Sequence, residues 1–132
     1  LSKGKDITLV GAGYSASLAL EASQKIIDAN ITCDVIDLRV INPFDSELIC
    51  ESVKKTGALI VIDGGWQTCG LSSEVIACLA EKISLESLKS KPKRITLENT
   101  PAPTSSILEK YYYPNLDVVL KEIINIVGLK IN

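Results

Sequence analysis

The 132-residue sequence contains no histidine and no methionine. Without histidine, the chain cannot supply a Ser-His-Asp triad, an imidazole general base or a histidine-ligated metal site. The four cysteines show no C-x-x-C spacing, which argues against a zinc site or a dithiol redox motif. We expect Cys33, Cys50, Cys69 and Cys78 to be buried or half-buried free thiols in a reducing, intracellular compartment. Because no methionine stands at position 1 either, we expect a piece of a longer protein.

Long apolar runs and an excess of positive charge are missing as well. No run approaches the roughly 20 apolar residues that cross a bilayer, and residues 1–6 do not form a signal peptide. A net charge of -2 and a pI near 5.2 argue against a nucleic-acid-binding protein, which is normally basic. We therefore expect one folded domain over residues 1–132, with neither nucleic acid nor a membrane as partner.

Short β-rich runs alternate along the chain with segments of helical spacing. The predicted strands cover residues 7–10, 31–38, 58–62 and 93–97, and the predicted helices cover residues 14–29, 46–56, 71–84, 106–110 and a segment beginning near 115 or 117. This alternation predicts βαβ units with right-handed crossovers. The expected architecture is a three-layer α/β/α domain with a mainly parallel sheet.

Capping residues predict where two of the helices begin and end. Asp45 is placed to cap the second helix, and Gly57 is placed to end it in a left-handed conformation. Either Ser15 or Ser17 is expected to cap the first helix. The basic residues around Pro92 are interpreted as solvated charges: Lys89, Lys91, Lys93 and Arg94.

Two glycine-bearing loops follow predicted strands and precede predicted helices. The first is Gly11-Ala12-Gly13, and the second covers residues 63–70. At the carboxyl ends of parallel strands, such loops present free backbone N–H groups and the positive end of a helix dipole. Gly11, Gly13 and Ser15 are therefore a candidate anion site. The alternative is that the glycines only turn the chain and let the helix pack closely.

The second loop carries the only tryptophan, Trp66. A tryptophan in a surface loop is typical of an anchor for a partner, so we predict that Trp66 is at least partly exposed; the alternative is a ring folded back over its own helix. The run of tyrosines at 111–113 leaves the same choice between packing and an interface. The candidate interface residues are Asp63, Gly64, Gly65, Trp66, Gln67, Tyr111 and Tyr112.

Three motifs, in order, resemble one protein family. Residues 34–45 are similar to the strand-to-helix signature of the transketolase C-terminal domain family. Residues 56–66, with Gly70 and Glu74 after them, resemble more narrowly the beta subunits of pyruvate dehydrogenases, which are thiamine-diphosphate decarboxylases. The closing motif of the same subunits is resembled by residues 100–103, then 107–109 and Tyr113-Pro114. The resemblance runs from about residue 4 to 127.

This resemblance implies a fold and the parts of the parent enzyme that hold the cofactors. The sheet would have four parallel strands in the order second, first, third, fourth, and an antiparallel edge strand largely missing before Leu1. Thiamine diphosphate and magnesium would be held by the alpha subunit and by the N-terminal domain of the beta subunit. The resemblance therefore implies no catalytic, cofactor-binding or metal-binding residue in this chain.

The resemblance also implies an assembly role. The domain, inactive alone, would contact an alpha subunit, a second beta subunit and the subunit-binding domain of an acyltransferase, in bacterial cytoplasm, mitochondrial matrix or plastid. The parent reaction would be oxidative decarboxylation of pyruvate with acetyl transfer to lipoamide. The alternative is a regulatory or anion-binding domain of a transketolase or a deoxyxylulose-phosphate synthase, or a free-standing small-ligand-binding domain, as the two glycine-bearing loops would allow.

Overall fold

A computed structural model describes residues 1–128, except for the side chain of Leu85. Strands and α-helices alternate along the chain up to the last strand, which two helices follow: β1 (Ile7–Gly11), α1 (Tyr14–Lys25), β2 (Cys33–Asp37), α2 (Ser46–Thr56), β3 (Leu59–Trp66), α3 (Leu71–Lys82), β4 (Lys93–Leu97), α4 (Ser106–Tyr112) and α5 (Leu116–Gly128). All three pairings between neighbouring strands are parallel, and the strand order is β2-β1-β3-β4. The α/β class, the parallel sheet and the strand order are confirmed. In this part of the chain, no helix is long and apolar enough to cross a membrane.

The strands are buried on both faces, because a helical layer covers each side of the sheet. Alternate residues of β3 separate the two sides: Ile60 and Ile62 pack beneath α1 and α5, whereas Leu59 and Val61 pack beneath α2 and α3. All four side chains are fully buried. Continuous apolar runs are typical of strands that are covered on both faces, so these short runs account for the three layers.

A chain of buried hydroxyls ties α2 to the centre of the sheet. The Thr8 hydroxyl in β1 lies 2.7 Å from the Ser52 hydroxyl and 2.8 Å from the Thr56 hydroxyl, both in α2. Ser52 donates onward to the Asp34 carboxylate in β2 at 2.8 Å, and Lys55 forms an ion pair with the same carboxylate. Each of these three hydroxyls thus has a partner, so burying it does not leave a polar group unsatisfied.

Both predicted ends of α2 are confirmed. The Asp45 carboxylate accepts a hydrogen bond from the Leu48 backbone N–H at 3.0 Å, and Gly57 ends the helix at φ 75°. The predicted cap of α1 is wrong: Gly13, at φ 56°, holds the cap position, and neither Ser15 nor Ser17 makes a side-chain capping bond. This first helix also ends at Lys25 instead of residue 29, because a 3-10 turn over Ile27–Ala29 leads into left-handed Asn30.

The two outer strands of the described sheet differ in their surroundings. Beside β2, Ser2 forms an isolated antiparallel bridge with Val35, in agreement with the antiparallel edge that the family resemblance implies. On the opposite side, β4 carries Lys93, which pairs with Glu122 of α5 at 3.2 Å.

Candidate functional site

The two glycine-bearing loops lie together at the carboxyl edge of the sheet. The chain passes from β1 to β2 on one side and returns to β3 on the other, so the strand order reverses between β1 and β3. Ligands of open parallel sheets bind at such reversal points. A cavity of about 630 Å³ opens here, lined by the start of α1, by Gly64 and by α4 with the turn that follows it.

The strand β3 is longer than the sequence predicts. It continues through the two glycines to Trp66, which pairs with Leu97 of β4 after an irregularity in register beyond Ile62. The glycines predicted a loop because they lack side chains that favour a strand. Pairing with β4, more than 30 residues away in the chain, overrides that local preference and places the Trp66 side chain at the edge of the sheet.

Asp63 organises the turn from β3 into α3. Its side chain is only 8% exposed, and its two oxygens accept hydrogen bonds from the backbone N–H groups of Gly65, at 2.9 Å, and Ser72, at 2.8 Å. Ser72 lies in the first turn of α3, where unpaired N–H groups attract an anion. The carboxylate therefore shapes the candidate interface from inside, and its own surface is covered.

Gly70 and Arg94 hold the rest of this turn. A Cβ on Gly70 would lie 2.2 Å from the Trp66 carbonyl oxygen, so only glycine fits. The Arg94 guanidinium donates to the Gln67 carbonyl and to the Ser73 hydroxyl, both at 2.9 Å. The interpretation of Arg94 as a solvated charge is therefore wrong. One sequence signal pointed to this role: Arg94 follows Lys93 in a strand, and successive side chains of a strand point to opposite faces of the sheet.

Trp66 and Tyr112 connect β3 to α4. The Trp66 ring is 58% exposed, which confirms the predicted exposure. Its indole N–H donates to the Tyr112 hydroxyl at 3.4 Å, and that hydroxyl donates to the Thr100 carbonyl at 2.8 Å. Tyr111, the residue before Tyr112 in α4, is 81% exposed. Gly64 and Gln67 are exposed beside them, and Gly65 is half-buried.

The residues of the first glycine-bearing loop and the start of α1 have two roles: some let the helix pack closely, and others line the cavity. A Cβ on Gly11 would lie 2.7 Å from the Ser15 backbone carbon, so this glycine lets α1 pack closely against β1. Gly13 has open space around its Cα and turns the chain with its positive φ. Of the three candidate anion-site residues, Ser15 lines the cavity. The structure also places Tyr14, Lys110 and Asn115 around it, which sequence spacing could not show.

The cysteines are free, but their exposure is uneven. Cys33 and Cys50 are buried and Cys78 is half-buried, as expected, whereas the expectation for Cys69 is wrong because this residue is exposed at a left-handed turn position. Burial, reinforced by the Asp6 carboxylate, raises the pKa of the Cys33 thiol to about 12. Burial and the neighbouring Glu74 carboxylate also raise the pKa of Cys78. Neither thiol is an activated nucleophile, which requires a lowered pKa.

Comparison with known proteins decides the family. The family model for the transketolase C-terminal domain matches residues 1–119. The chain belongs to this family. A transketolase C-terminal domain accounts for the sheet order described above and for the resemblance in residues 34–45.

Two relatives show which kinds of protein in this family the chain is similar to. The chain is 33% identical over 126 residues to the acetoin:2,6-dichlorophenolindophenol oxidoreductase subunit beta of Bacillus subtilis, covering 96% of this chain. It is 37% identical over 115 residues to the pyruvate dehydrogenase E1 component subunit beta of Rickettsia bellii, covering 87% of this chain. The chain spans only 36% and 35% of the lengths of these two relatives.

A solved structure is also similar across nearly the whole domain. It is described as "Split gene transketolase, inactive beta4 tetramer", and it matches with a TM-score of 0.80 and 26% sequence identity. The match covers 98% of this chain and 40% of that chain. The transketolase C-terminal domain described here therefore corresponds to under half of that protein.

Proposed function

We propose that this domain is the C-terminal assembly domain of the beta subunit of a thiamine-diphosphate-dependent pyruvate dehydrogenase. The parent enzyme would decarboxylate pyruvate oxidatively and transfer the acetyl group to lipoamide. The observation that carries the proposal is the 37% identity to a pyruvate dehydrogenase E1 component subunit beta across 87% of this chain. The relatives come from bacteria and, in Ascaris suum, from a mitochondrial enzyme, so the proposed compartment is the bacterial cytoplasm or the mitochondrial matrix.

The chemistry is assigned to the rest of the parent enzyme. The chain has no histidine, and residues 1–128 contain no cluster of three side chains suited to hold a metal. Two of the strand-end carboxylates are engaged locally: Asp63 accepts hydrogen bonds from backbone N–H groups, and Asp37 pairs with Arg39 at 3.2 Å. By the family resemblance, thiamine diphosphate and magnesium would be held by the alpha subunit and the N-terminal domain of the beta subunit.

The interface is assigned to the carboxyl edge of the sheet. Trp66 and Tyr111 are large, exposed side chains on one edge, next to Ile107 and Leu108 of α4, which are 71% and 57% exposed. Aromatic side chains contribute a large share of binding energy at subunit contacts. The proposed partners are the alpha subunit, a second beta subunit and the subunit-binding domain of the acyltransferase. Trp66 and Tyr111 are the proposed anchors, and Tyr112 fixes the Trp66 ring.

The test uses the full-length beta subunit and its alpha subunit. Trp66→Ala and Tyr111→Ala are each expected to weaken subunit assembly about tenfold or more, measured by analytical ultracentrifugation. The thermal unfolding temperature of the beta subunit alone should change little, because both side chains are exposed. Ile27→Ala is the matched control, since Ile27 is 59% exposed in the turn after α1, away from this edge. Unchanged assembly of both aromatic variants would contradict the assignment of the interface to Trp66 and Tyr111.

A second assay addresses the reaction. The assembled parent enzyme, supplied with thiamine diphosphate and Mg²⁺, is expected to prefer pyruvate over acetoin as substrate, with reduction of 2,6-dichlorophenolindophenol as the readout. A preference for acetoin would contradict the proposed substrate and support the activity for which the Bacillus subtilis relative is named. The alternative of a transketolase or synthase domain is favoured by the structural match to a split gene transketolase, and ketol transfer between sugar phosphates by the parent enzyme would support it.

A further inference from the structure

The cavity between β1 and β3 has the dimensions of a small-molecule site. Its volume of about 630 Å³ lies within the range of roughly 300–1,000 Å³ that is typical of ligand pockets. It is lined on one side by Tyr14 and Ser15 of α1 and on the other by Lys110, Tyr113 and Asn115. The proposed anchors of the subunit interface, Trp66 and Tyr111, are not among its lining residues.

Ser15 is the side chain of the cavity best placed to bind a ligand. It is only 7% exposed and lines the cavity. Its hydroxyl has no hydrogen-bond partner in residues 1–128, although its backbone N–H donates to the Ala12 carbonyl at 3.1 Å. The hydroxyl oxygen is still reached from the cavity, since the fully buried, unpaired side-chain atoms of the described residues are those of Ser72 and Ser90. A ligand group in the cavity can therefore bind to it. On the same helix, Ser17 is exposed to solvent and needs no partner.

The charge around Ser15 favours a negatively charged group. The twelve-residue helix α1 begins here with Gly13 as its cap. The backbone N–H groups of Gly13 and Tyr14 have no acceptor within the described residues, so two donors remain at the positive end of the helix dipole. Lys110 adds a positive charge to the lining. Glu109, which also lines the cavity, opposes a highly charged anion.

Two tyrosine rings and a proline form much of the remaining wall, beside Gly64 and Ser106. Tyr14 is 75% exposed, and Tyr113 is 42% exposed and followed by Pro114, which also lines the cavity. Exposed rings on a cavity wall favour a planar ring that stacks on them. We propose that this cavity binds a small organic anion with a planar ring, whose carboxylate or phosphate ester group accepts hydrogen bonds from Ser15 and the start of α1. This proposal goes beyond the assembly role.

The test is calorimetric binding to the full natural chain alone, with adenosine monophosphate and benzoate as two ring-bearing anions. Adenosine and inorganic phosphate supply the ring part and the anion part of the first probe separately. We expect at least one ring-bearing anion to bind, and adenosine and phosphate each to bind about tenfold more weakly than adenosine monophosphate where that probe binds. Failure of both ring-bearing anions at about 10 mM, a concentration that detects even weak millimolar binding, overturns the proposal.

Two serine variants locate the site. Ser15→Ala is expected to weaken binding of the anion about tenfold, because a hydrogen bond to a charged group is lost. The same variant should leave the ligand-free unfolding temperature unchanged or raise it, since no hydrogen bond within the described residues is lost and alanine favours a helix. Ser17→Ala should bind like the wild type. Equal binding by Ser15→Ala and the wild type would overturn the assignment.

The outcome is independent of the assembly proposal. Binding is measured on the chain alone, without a partner subunit or turnover, so a failure here leaves the interface at Trp66 and Tyr111 untouched. Loss of assembly in the Trp66→Ala variant likewise says nothing about Ser15.

Discussion

Asp63 joins the end of β3 to the start of α3 through both oxygens of one carboxylate. Replacing it with asparagine keeps the volume but presents an amide NH₂ to one of two backbone N–H donors, at Gly65 or Ser72. We expect Asp63→Asn to lower the free energy of unfolding by about 1–3 kcal/mol, because a buried donor loses its partner. Urea denaturation measures the change.

Asp45→Asn is the matched control for Asp63→Asn. Asp45 also accepts one backbone N–H, at the start of α2, but its bond is exposed and asparagine caps helices about as well as aspartate. Its unfolding free energy should change by only a few tenths of a kcal/mol. Equal losses in the two variants would show that removal of charge, and not the buried pair of hydrogen bonds, determines the result.

At the scale of the element, α4 depends on few contacts. Every one of its seven residues keeps some solvent exposure, and the Tyr112 hydroxyl binds the Thr100 carbonyl and receives the Trp66 indole N–H. We expect Tyr112→Phe to speed amide hydrogen exchange in α4 about fivefold, as the loss of roughly 1 kcal/mol from local opening predicts. The global unfolding free energy should be nearly unchanged.

The neighbouring tyrosine provides the control for this local effect. Tyr111 is 81% exposed, and its hydroxyl makes no hydrogen bond within the part of the chain that the structure describes. Tyr111→Phe should therefore leave hydrogen exchange in α4 as in the wild type. If the two variants exchange alike, Tyr112 does not hold the helix.

Elements with local signals could be predicted from the sequence, and those set by distant pairing could not. The span of α2 follows from Asp45 and Gly57, which act on the residues beside them. The extension of β3 to Trp66 depends on pairing with Leu97, which no local pattern encodes. In the same way, the glycine loops predicted the place of the cavity, whereas Lys110 and Asn115 reach it only through the packing of α4 and the turn that follows it.

At the scale of the whole molecule, the buried Cys33 thiol links global stability to pH. The folded pKa is raised from 9.0 to about 12, so above pH 9 the unfolded chain releases a proton that the folded chain keeps. Stability from this group is therefore complete below pH 9 and is lost as the pH rises toward 12, at up to about 1.4 kcal/mol per pH unit. Cys33→Ala should show a flatter decline between pH 9 and 11 in urea denaturation.

The comparison is one of slopes, because Cys33→Ala also leaves a small cavity that lowers stability equally at every pH. Cys69→Ala removes an exposed thiol instead and should follow the wild-type slope. Parallel curves for Cys33→Ala and the wild type would contradict the linkage.

The two outer strands of the sheet bear on how the protein behaves when concentrated. A bare strand edge offers unpaired backbone groups onto which another molecule can add as a further strand, and growth of that kind ends in aggregates. Beside β2, the backbone of Val35 is already occupied by Leu1 and Ser2. On the other side, β4 carries Lys93, and lysines on an edge discourage such addition. Addition of a further strand, and the aggregation that it starts, is thus discouraged along both sides of the sheet.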